Sequence, residues 1–463
     1  MDLHPFFEPK SLVLIGASRN LYTFNGTILK NLLEIRYPGR IYIINPNATE
    51  ILGRKCYASL KDLPTVPELA IILVVKEIQA TIETLANLGV KYIMIESDIS
   101  QSDKNVSEQI LNDLKSMIEH HQLYVMGPGM IGLMNFNARF TTSIIPGRRY
   151  IFQYSEKHKG HGALSFYGQS GGLTGACGWW SPFQHFPLSK VIHIGTSIGV
   201  TESQIIQYLF DDPETSVISL FVKSISEDLY GVLKCNKGKK PVLMKFVGRP
   251  SEFEPFCDRF RTETSVLLVR DYIELFDFAK LFLWCPSPTG RSVGIIGPSS
   301  GAINLLISEM RNHEISLARL SESTIQKILS DIGGSTCKLG NPVDYWPPRE
   351  FVGTEVCKVY NTAGKALLGD QHVSALFLAL EFFIEIEFDF AIFEKIKENF
   401  KDKPIIVVLI QAESEGAKRV IECATKLNIP VFVDEIERAV RGYAALIEFY
   451  EKAESPSEQN IKN

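Results

Sequence analysis

Short apolar runs recur along the chain, and each is followed by a stretch in which apolar positions return every three or four residues. The first five runs are Leu12 to Gly16, Ile41 to Asn45, Leu69 to Val75, Tyr92 to Glu96 and Leu123 to Gly127. Strand-sized runs alternating with helical patterning predict a parallel sheet covered by helices. The rhythm restarts at Ala163 to Tyr167 and continues through Lys190 to Ile194, Val217 to Val222, Val242 to Phe246 and Leu267 to Val269, with an apolar helix from Tyr272. After the turn-rich Cys285-Pro-Ser-Pro-Thr-Gly-Arg291, further strands are expected at Val293 to Ile296, Val373 to Leu380, Ile405 to Ile410 and Val431 to Val433. The fold class is therefore α/β with three domains, expected at 1–149, 150–289 and 290–450. A polar tail follows at 451–463.

Composition narrows the classes. At 463 residues the chain can bury several cores, and 45% hydrophobic with 22% charged residues is the profile of a globular protein. A net charge of -5 gives no general attraction to nucleic acid or anionic lipid, so neither is an expected partner. Met1 to Lys10 lacks the pattern of a secretion signal, and no apolar run is long enough to cross a bilayer. The eight cysteines are scattered without a CxxC pair, which argues against a zinc site or a disulfide framework. No metal site is expected, and a reducing cytoplasm is the expected compartment.

In open parallel sheets, ligands gather beyond the carboxyl ends of strands, where helix N-termini favour anions. Gly16-Ala17-Ser18-Arg19 follows the first strand, with Asn25 and Gly26 opening the next helix. This is not the GxGxxG fingerprint of a plain nicotinamide site, and a tight turn alone would account for it as well. The second strand ends in Asn45-Pro46, polar where a nicotinamide enzyme would offer an acid to a ribose hydroxyl. Val74, Val75 and Lys76 close the third strand of the same edge. Gly127-Pro128-Gly129, Gln169-Ser170-Gly171-Gly172 and Gly195-Thr196 are further small-residue loops able to seat a phosphate or an acyl group. Gly297-Pro298-Ser299-Ser300-Gly301 repeats the device in the third domain.

Taken in order, these segments resemble the α-subunit of ADP-forming acyl-CoA synthetases, relatives of the succinyl-CoA synthetase α-subunit. The likeness is carried by His4 to Ser18, Tyr37 to Pro46, Gly127 to Gly132, Gln169 to Gly172, Asp211-Asp-Pro-Glu-Thr215, Lys240 to Lys245 with Gly248-Arg249, and Asn341-Pro-Val-Asp344. It implies an N-terminal Rossmann-like domain that binds coenzyme A, followed by two flavodoxin-like parallel-sheet domains. The coenzyme A site would comprise Gly16, Ala17, Ser18, Arg19, Asn45, Pro46, Val74, Val75 and Lys76. The family couples ATP to acyl transfer through a separate or fused ATP-grasp module, and none is visible in these 463 residues. The resemblance therefore implies a β-type ATP-grasp partner holding ATP/ADP and Mg, a hetero-oligomer, and a small carboxylic acid or acyl-CoA as substrate.

The same resemblance exposes departures. The family's phosphorylated histidine lies shortly after the positions equivalent to Lys245 and Gly248-Arg249, where this chain has Pro250 to Phe260. No histidine occurs between His193 and His313. The strand that usually ends near a Glu ends here in Lys223. Lys223 could hold a substrate carboxylate or carbamoyl phosphate, and His193 or His185 is the remaining candidate base; a solvated lysine and a packed histidine are the plain alternatives. Three readings follow: a coenzyme A-binding α-type subunit of an acid–thiol ligase complex with the phosphohistidine step lost, an ATP-independent acyl or carbamoyl transferase component, or a non-catalytic coenzyme A-binding scaffold.

Overall fold

The computed structural model describes residues 2–99, 104–145, 163–332, 339–345, 354–381 and 389–454. They fall into two compact units, Met1–Leu268 and Val269–Asn463.

The first sheet of unit one is built from β1 (Ser11–Ile15), β2 (Arg40–Ile44), β3 (Glu50–Ile51), β4 (Arg54–Tyr57), β5 (Leu69–Ile72), β6 (Tyr92–Ile95) and β7 (Tyr124–Met126). Its order is β3-β4-β2-β1-β5-β6-β7, and only the short β3–β4 pair is antiparallel. Without that edge strand this is the doubly wound order of dinucleotide-binding folds, which reverses between β1 and β5. Alternation along the strands explains the layering. Leu12, Leu14, Leu69 and Ile71 enter one core, and Val13, Ile15, Ala70 and Ile72 enter the core on the opposite face.

The second sheet takes β8 (Gly132–Asn135), β9 (Phe140–Thr141), β10 (Leu164–Gly168), β11 (Leu188–His193), β12 (Val217–Val222), β13 (Val242–Phe246) and β14 (Val266–Leu268) in the order β14-β13-β12-β10-β11-β8-β9. The five parallel strands have the flavodoxin order. β8 runs antiparallel to β11, pairing Gly132 with His193. Strand pairing thus carries residues 132–141 into the second sheet, ahead of the expected boundary near 149. The two sheets of this unit share one core, in which Leu14 and Met126 join Tyr167, Ile192 and Leu220.

A buried cation holds the second sheet together. The Lys190 side chain is 1% exposed and its Nζ lies 2.7 Å from Asp212 and 3.3 Å from Glu214. Thr215 donates to Asp212 and shares a 2.7 Å hydrogen bond with Ser165. The Asp211-Asp-Pro-Glu-Thr215 motif is therefore a structural clamp.

Unit two carries β15 (Ser292–Gly297), β16 (Ser316–Leu317), β17 (Val343–Asp344), β18 (Ala375–Leu380), β19 (Ile405–Leu409) and β20 (Val431–Val433). The order β16-β15-β18-β19-β20 repeats the flavodoxin arrangement, with β17 also paired to β15. Asn341 Nδ2 donates to the carbonyls of Val293 and Ala318, so the Asn341-Pro-Val-Asp344 motif also serves the fold. The helix Glu274–Trp284, expected to close the second domain, belongs to this unit. Its Glu274 is paired with Arg441 and its Asp277 with Arg438 on the helix Ile436–Glu454. That last helix runs past the expected start of the tail, and Arg291 pairs with Glu451 at 2.7 Å; residues 455–463 lie outside the described residues.

Candidate functional site

A cavity of about 660 Å³ opens at the strand-order reversal of the first sheet. Its walls come from the helix that follows β1 (Phe24, Asn25, Ile28), the end of β5 (Leu73, Val74, Val75), the end of β6 (Glu96, Ser97, Asp98), the segment 129–131 and Ile144. His193, Gly195 and Thr196 of the second sheet complete it. Of the expected site residues, Val74, Val75, Gly129, His193, Gly195 and Thr196 all meet in this one cavity.

The β1 loop stands behind that wall. Gly16 has φ of +91°, and a Cβ there would meet Val74 Cγ1 at 2.5 Å, so only glycine admits this packing of the β1 turn on the β5 end. Asn25 donates to the Gly16 carbonyl, Asn45 donates to that of Ala17, and Ser18 accepts from the Asn20 N–H. Ala17 is buried, whereas Arg19 and Pro46 are exposed. The Lys76 side chain is 88% exposed beside Glu77. None of these last four residues, nor Ser18 or Asn45, lines the cavity.

The loops at the second sheet are largely occupied with one another. The Gly127 and Pro128 carbonyls accept from the N–H groups of Ile198 and Thr196, so the 127–129 and 195–198 loops form a seam. Gln169 is committed on both sides of its amide. It donates to Glu202 at 2.7 Å and to the Ser224 carbonyl at 3.1 Å, and it accepts from the N–H groups of Lys223 and Ser224. Lys223 itself is exposed and does not line the cavity. Gly171 begins the helix Gly171–Trp180, and a Cβ there would strike Ile131 at 2.3 Å and sit 3.4 Å from His193. Its small size thus shapes the cavity from outside, while Ser170 precedes it and Gly172 faces open space.

His193 does not suit the role of base. Its Nδ1 accepts the Ile131 N–H at 3.1 Å, which leaves the proton of the neutral ring on Nε2. Burial, reinforced by the Lys223 charge, lowers its pKa to about 4. At neutral pH the ring is an uncharged donor. His185, the other histidine considered, does not line this cavity.

The group that sequence reasoning missed is Glu96. It is 7% exposed, its carboxyl oxygens are shut away from solvent with the Thr142 side chain as the hydrogen-bonding group that approaches them, and the adjacent Ser97 Oγ is buried without a partner. Burial pushes the Glu96 pKa up to about 8, against a smaller opposing pull from Thr142. An acid closing an otherwise apolar strand, Tyr-Ile-Met-Ile-Glu, was the available signal. Among the described residues no group of His, Cys, Asp and Glu is arranged to hold a metal. No helix among them is long and apolar enough to cross a membrane.

Sheet order and site together define a Rossmann-like ligand-binding domain joined to a flavodoxin-like one, and the comparisons agree. Residues 10–135 match the CoA binding domain family and residues 161–256 the succinyl-CoA ligase like flavodoxin domain. The chain is 28% identical over 457 residues to acetate–CoA ligase [ADP-forming] II of Archaeoglobus fulgidus, covering 94% of this chain and 65% of that relative. It therefore spans less than two thirds of that protein's length. Against the α subunit of acetate–CoA ligase [ADP-forming] II of Pyrococcus furiosus it is 25% identical over 466 residues, covering 95% and 96% of the two chains. The apo structure of dinucleotide-forming acetyl-coenzyme A synthetase 1 of Ca. Korarchaeum cryptofilum superposes with a TM-score of 0.83 at 22% identity, covering 98% of each chain. That last likeness is one of fold. The chain thus carries both domains and is similar along nearly its whole length to α subunits of ADP-forming acetate–CoA ligases.

Proposed function

We propose that this chain is the coenzyme A-binding, α-type subunit of an acyl-CoA ligase complex whose phosphohistidine step has been lost. The observation that carries the reading is the cavity at the β1/β5 reversal, formed jointly by the CoA-binding domain and the end of β11. Its apolar walls suit the pantetheine arm, and the small-residue turns behind it lie near the helix Phe24–Glu34, whose N-terminus favours phosphate. The near end-to-end match to α subunits supports the same assignment.

The loss of the phosphate carrier rests on the segment after β13. Arg249 caps a helix, Pro250–Glu263, that contains no histidine. An imidazole is the side chain suited to a phosphoramidate at neutral pH, and the buried His193, held as a donor, does not replace it. ATP and Mg2+ would be held by an ATP-grasp β-type partner, and a small carboxylic acid would be the acyl source. We place the chain in the cytoplasm, consistent with seven free thiols among the described cysteines.

A second reading, acyl or carbamoyl transfer without a phosphoenzyme, draws on the exposed Lys223 at the end of β12. One experiment separates the two. The chain, alone and with its co-purifying partner, is incubated with γ-labelled ATP, CoA and acid. ATP-dependent acyl-CoA formation without label on this chain supports the first reading. Transfer from an added acyl phosphate or carbamoyl phosphate with ATP omitted, phosphate leaving, supports the second, and label on this chain contradicts the loss of the phosphoenzyme step.

A further inference from the structure

A cavity that is to hold an anion needs a cation on its wall, because a charge taken out of water without a partner is costly. No lysine or arginine lines this one among the described residues, and its ionisable side chains are Glu96, Asp98 and His193. A carboxylate or phosphate deep inside would face Glu96 and Asp98 with no counter-charge. Leu73, Val74, Met130, Ile131 and Ile144 make much of the remaining wall apolar. Such a lining suits an uncharged, largely hydrocarbon group that carries one acceptor.

His193 supplies the donor for it. The residue ends β11 opposite Gly132, and its Nδ1 accepts the Ile131 N–H at 3.1 Å. That bond fixes the direction of the ring and leaves the proton of its neutral form on Nε2. Nε2 meets no hydrogen-bonding group among the described residues and, unlike the Glu96 oxygens, is not shut in, so its N–H opens on the cavity that the ring lines. Burial and the Lys223 charge keep the ring uncharged down to about pH 4, so the donor adds no charge to the cavity at neutral pH.

We propose that the His193 Nε2–H binds the carbonyl oxygen of an uncharged acyl group, carried as a thioester and bearing an apolar chain, and so positions that group in the cavity. The inference rests on the coenzyme A reading and concerns the acyl end of the ligand rather than the coenzyme. A neutral donor suits a carbonyl, since neither partner leaves a buried charge behind when the other departs. The same lining disfavours an acyl chain that ends in a second carboxylate.

The test is calorimetry on the full chain with CoA, butyryl-CoA, succinyl-CoA and S-butyl-CoA, a thioether that keeps the chain and lacks the carbonyl. Wild type should bind butyryl-CoA about fivefold to tenfold more tightly than S-butyl-CoA or succinyl-CoA. His193→Phe keeps the ring's bulk without the donor and should bring butyryl-CoA down to the level of S-butyl-CoA, with CoA itself within about twofold of wild type. NMR of the His193 ring in wild type gives a second reading that stands even where His193→Phe fails to fold. Its Nε2–H resonance should move downfield with butyryl-CoA and stay in place with S-butyl-CoA. Equal wild-type affinity for butyryl-CoA and S-butyl-CoA, a resonance that answers both alike, or succinyl-CoA bound as tightly as butyryl-CoA overturns the inference and leaves the coenzyme A reading standing. No CoA binding by wild type overturns both.

Discussion

The carboxyl edges of the two sheets in Met1–Leu268 are assembled from similar small-residue loops, yet they treat their polar groups in opposite ways. At the second sheet, Gln169 uses its whole amide to tie β10 to the β12 loop and Glu202, and the 127–129 and 195–198 loops bond to one another. At the first sheet, Glu96 and Ser97 lie in the cavity wall with their oxygens shut in, Ser97 Oγ unpartnered and Glu96 met only by Thr142. An edge whose hydrogen bonds are complete holds the fold, and an edge with bonds left open is where a ligand can be recognised. The contrast also runs through the family-like motifs, since Asp211 to Thr215 and Asn341 to Asp344 serve as internal clamps.

The comparison can be broken most severely at the clamp. Lys190→Ala leaves Asp212 buried without its cation, and removing one partner of a buried pair costs about 3–5 kcal/mol. Thermal unfolding should show that loss, and a change below about 1 kcal/mol would contradict the clamp.

The open edge should behave in the opposite sense. Glu96 keeps its proton in the folded chain to about pH 8, whereas an unfolded Glu loses it near 4.5. Between those values the folded state binds more protons, so stability falls as pH rises. His193 contributes the reverse slope, its pKa lowered to about 4 from 6.5, so its contribution is lost as pH falls through that range and is flat above it. From pH 6.5 to 8 Glu96 gives a decline of about 2 kcal/mol, opposed only near the upper end by Lys240, whose pKa burial lowers to about 8, so the comparison with Glu96→Gln isolates the acid. Denaturant unfolding of wild type should show the decline and Glu96→Gln should abolish it; equal slopes would contradict the buried neutral acid.

A smaller effect is expected from Gln169→Ala. It leaves the Lys223 and Ser224 N–H groups without their acceptor and should cost about 1–2 kcal/mol with CoA affinity unchanged. A marked loss of CoA affinity would place a ligand at this edge after all. The smallest effect is that of Lys223→Ala. Removing an exposed charge should move the His193 pKa upward only modestly, because burial is the larger cause. An NMR titration of the His193 ring measures it, and full recovery of the ordinary value would reverse that ranking.

Most of the fold was legible because its strands are apolar runs of parallel-sheet length. Val217–Val222 and Val242–Phe246 agree with their patterns to the residue. The short β3, β4, β8, β9, β16 and β17 were not legible, since two to four residues carry no periodicity and β8 is defined by its distant partner β11. The site was half legible. Val74, Val75, His193, Gly195 and Thr196 sit where strand-end loops predict. Glu96 escaped notice because an acid at a strand end reads as solvated, and only the surrounding burial shows otherwise. Gln169 shows the converse, a loop polar residue whose bonds are closed within the protein.

The central claim is that coenzyme A occupies the cavity between the first sheet's reversal and the end of β11. Val75→Trp tests it directly, because Val75 is half-buried on the cavity wall and an indole there would fill the space from its rim. Calorimetry should show CoA binding to wild type and none to Val75→Trp at an unchanged melting temperature. Equal affinity in both proteins, or no binding to wild type at millimolar CoA, would contradict the account.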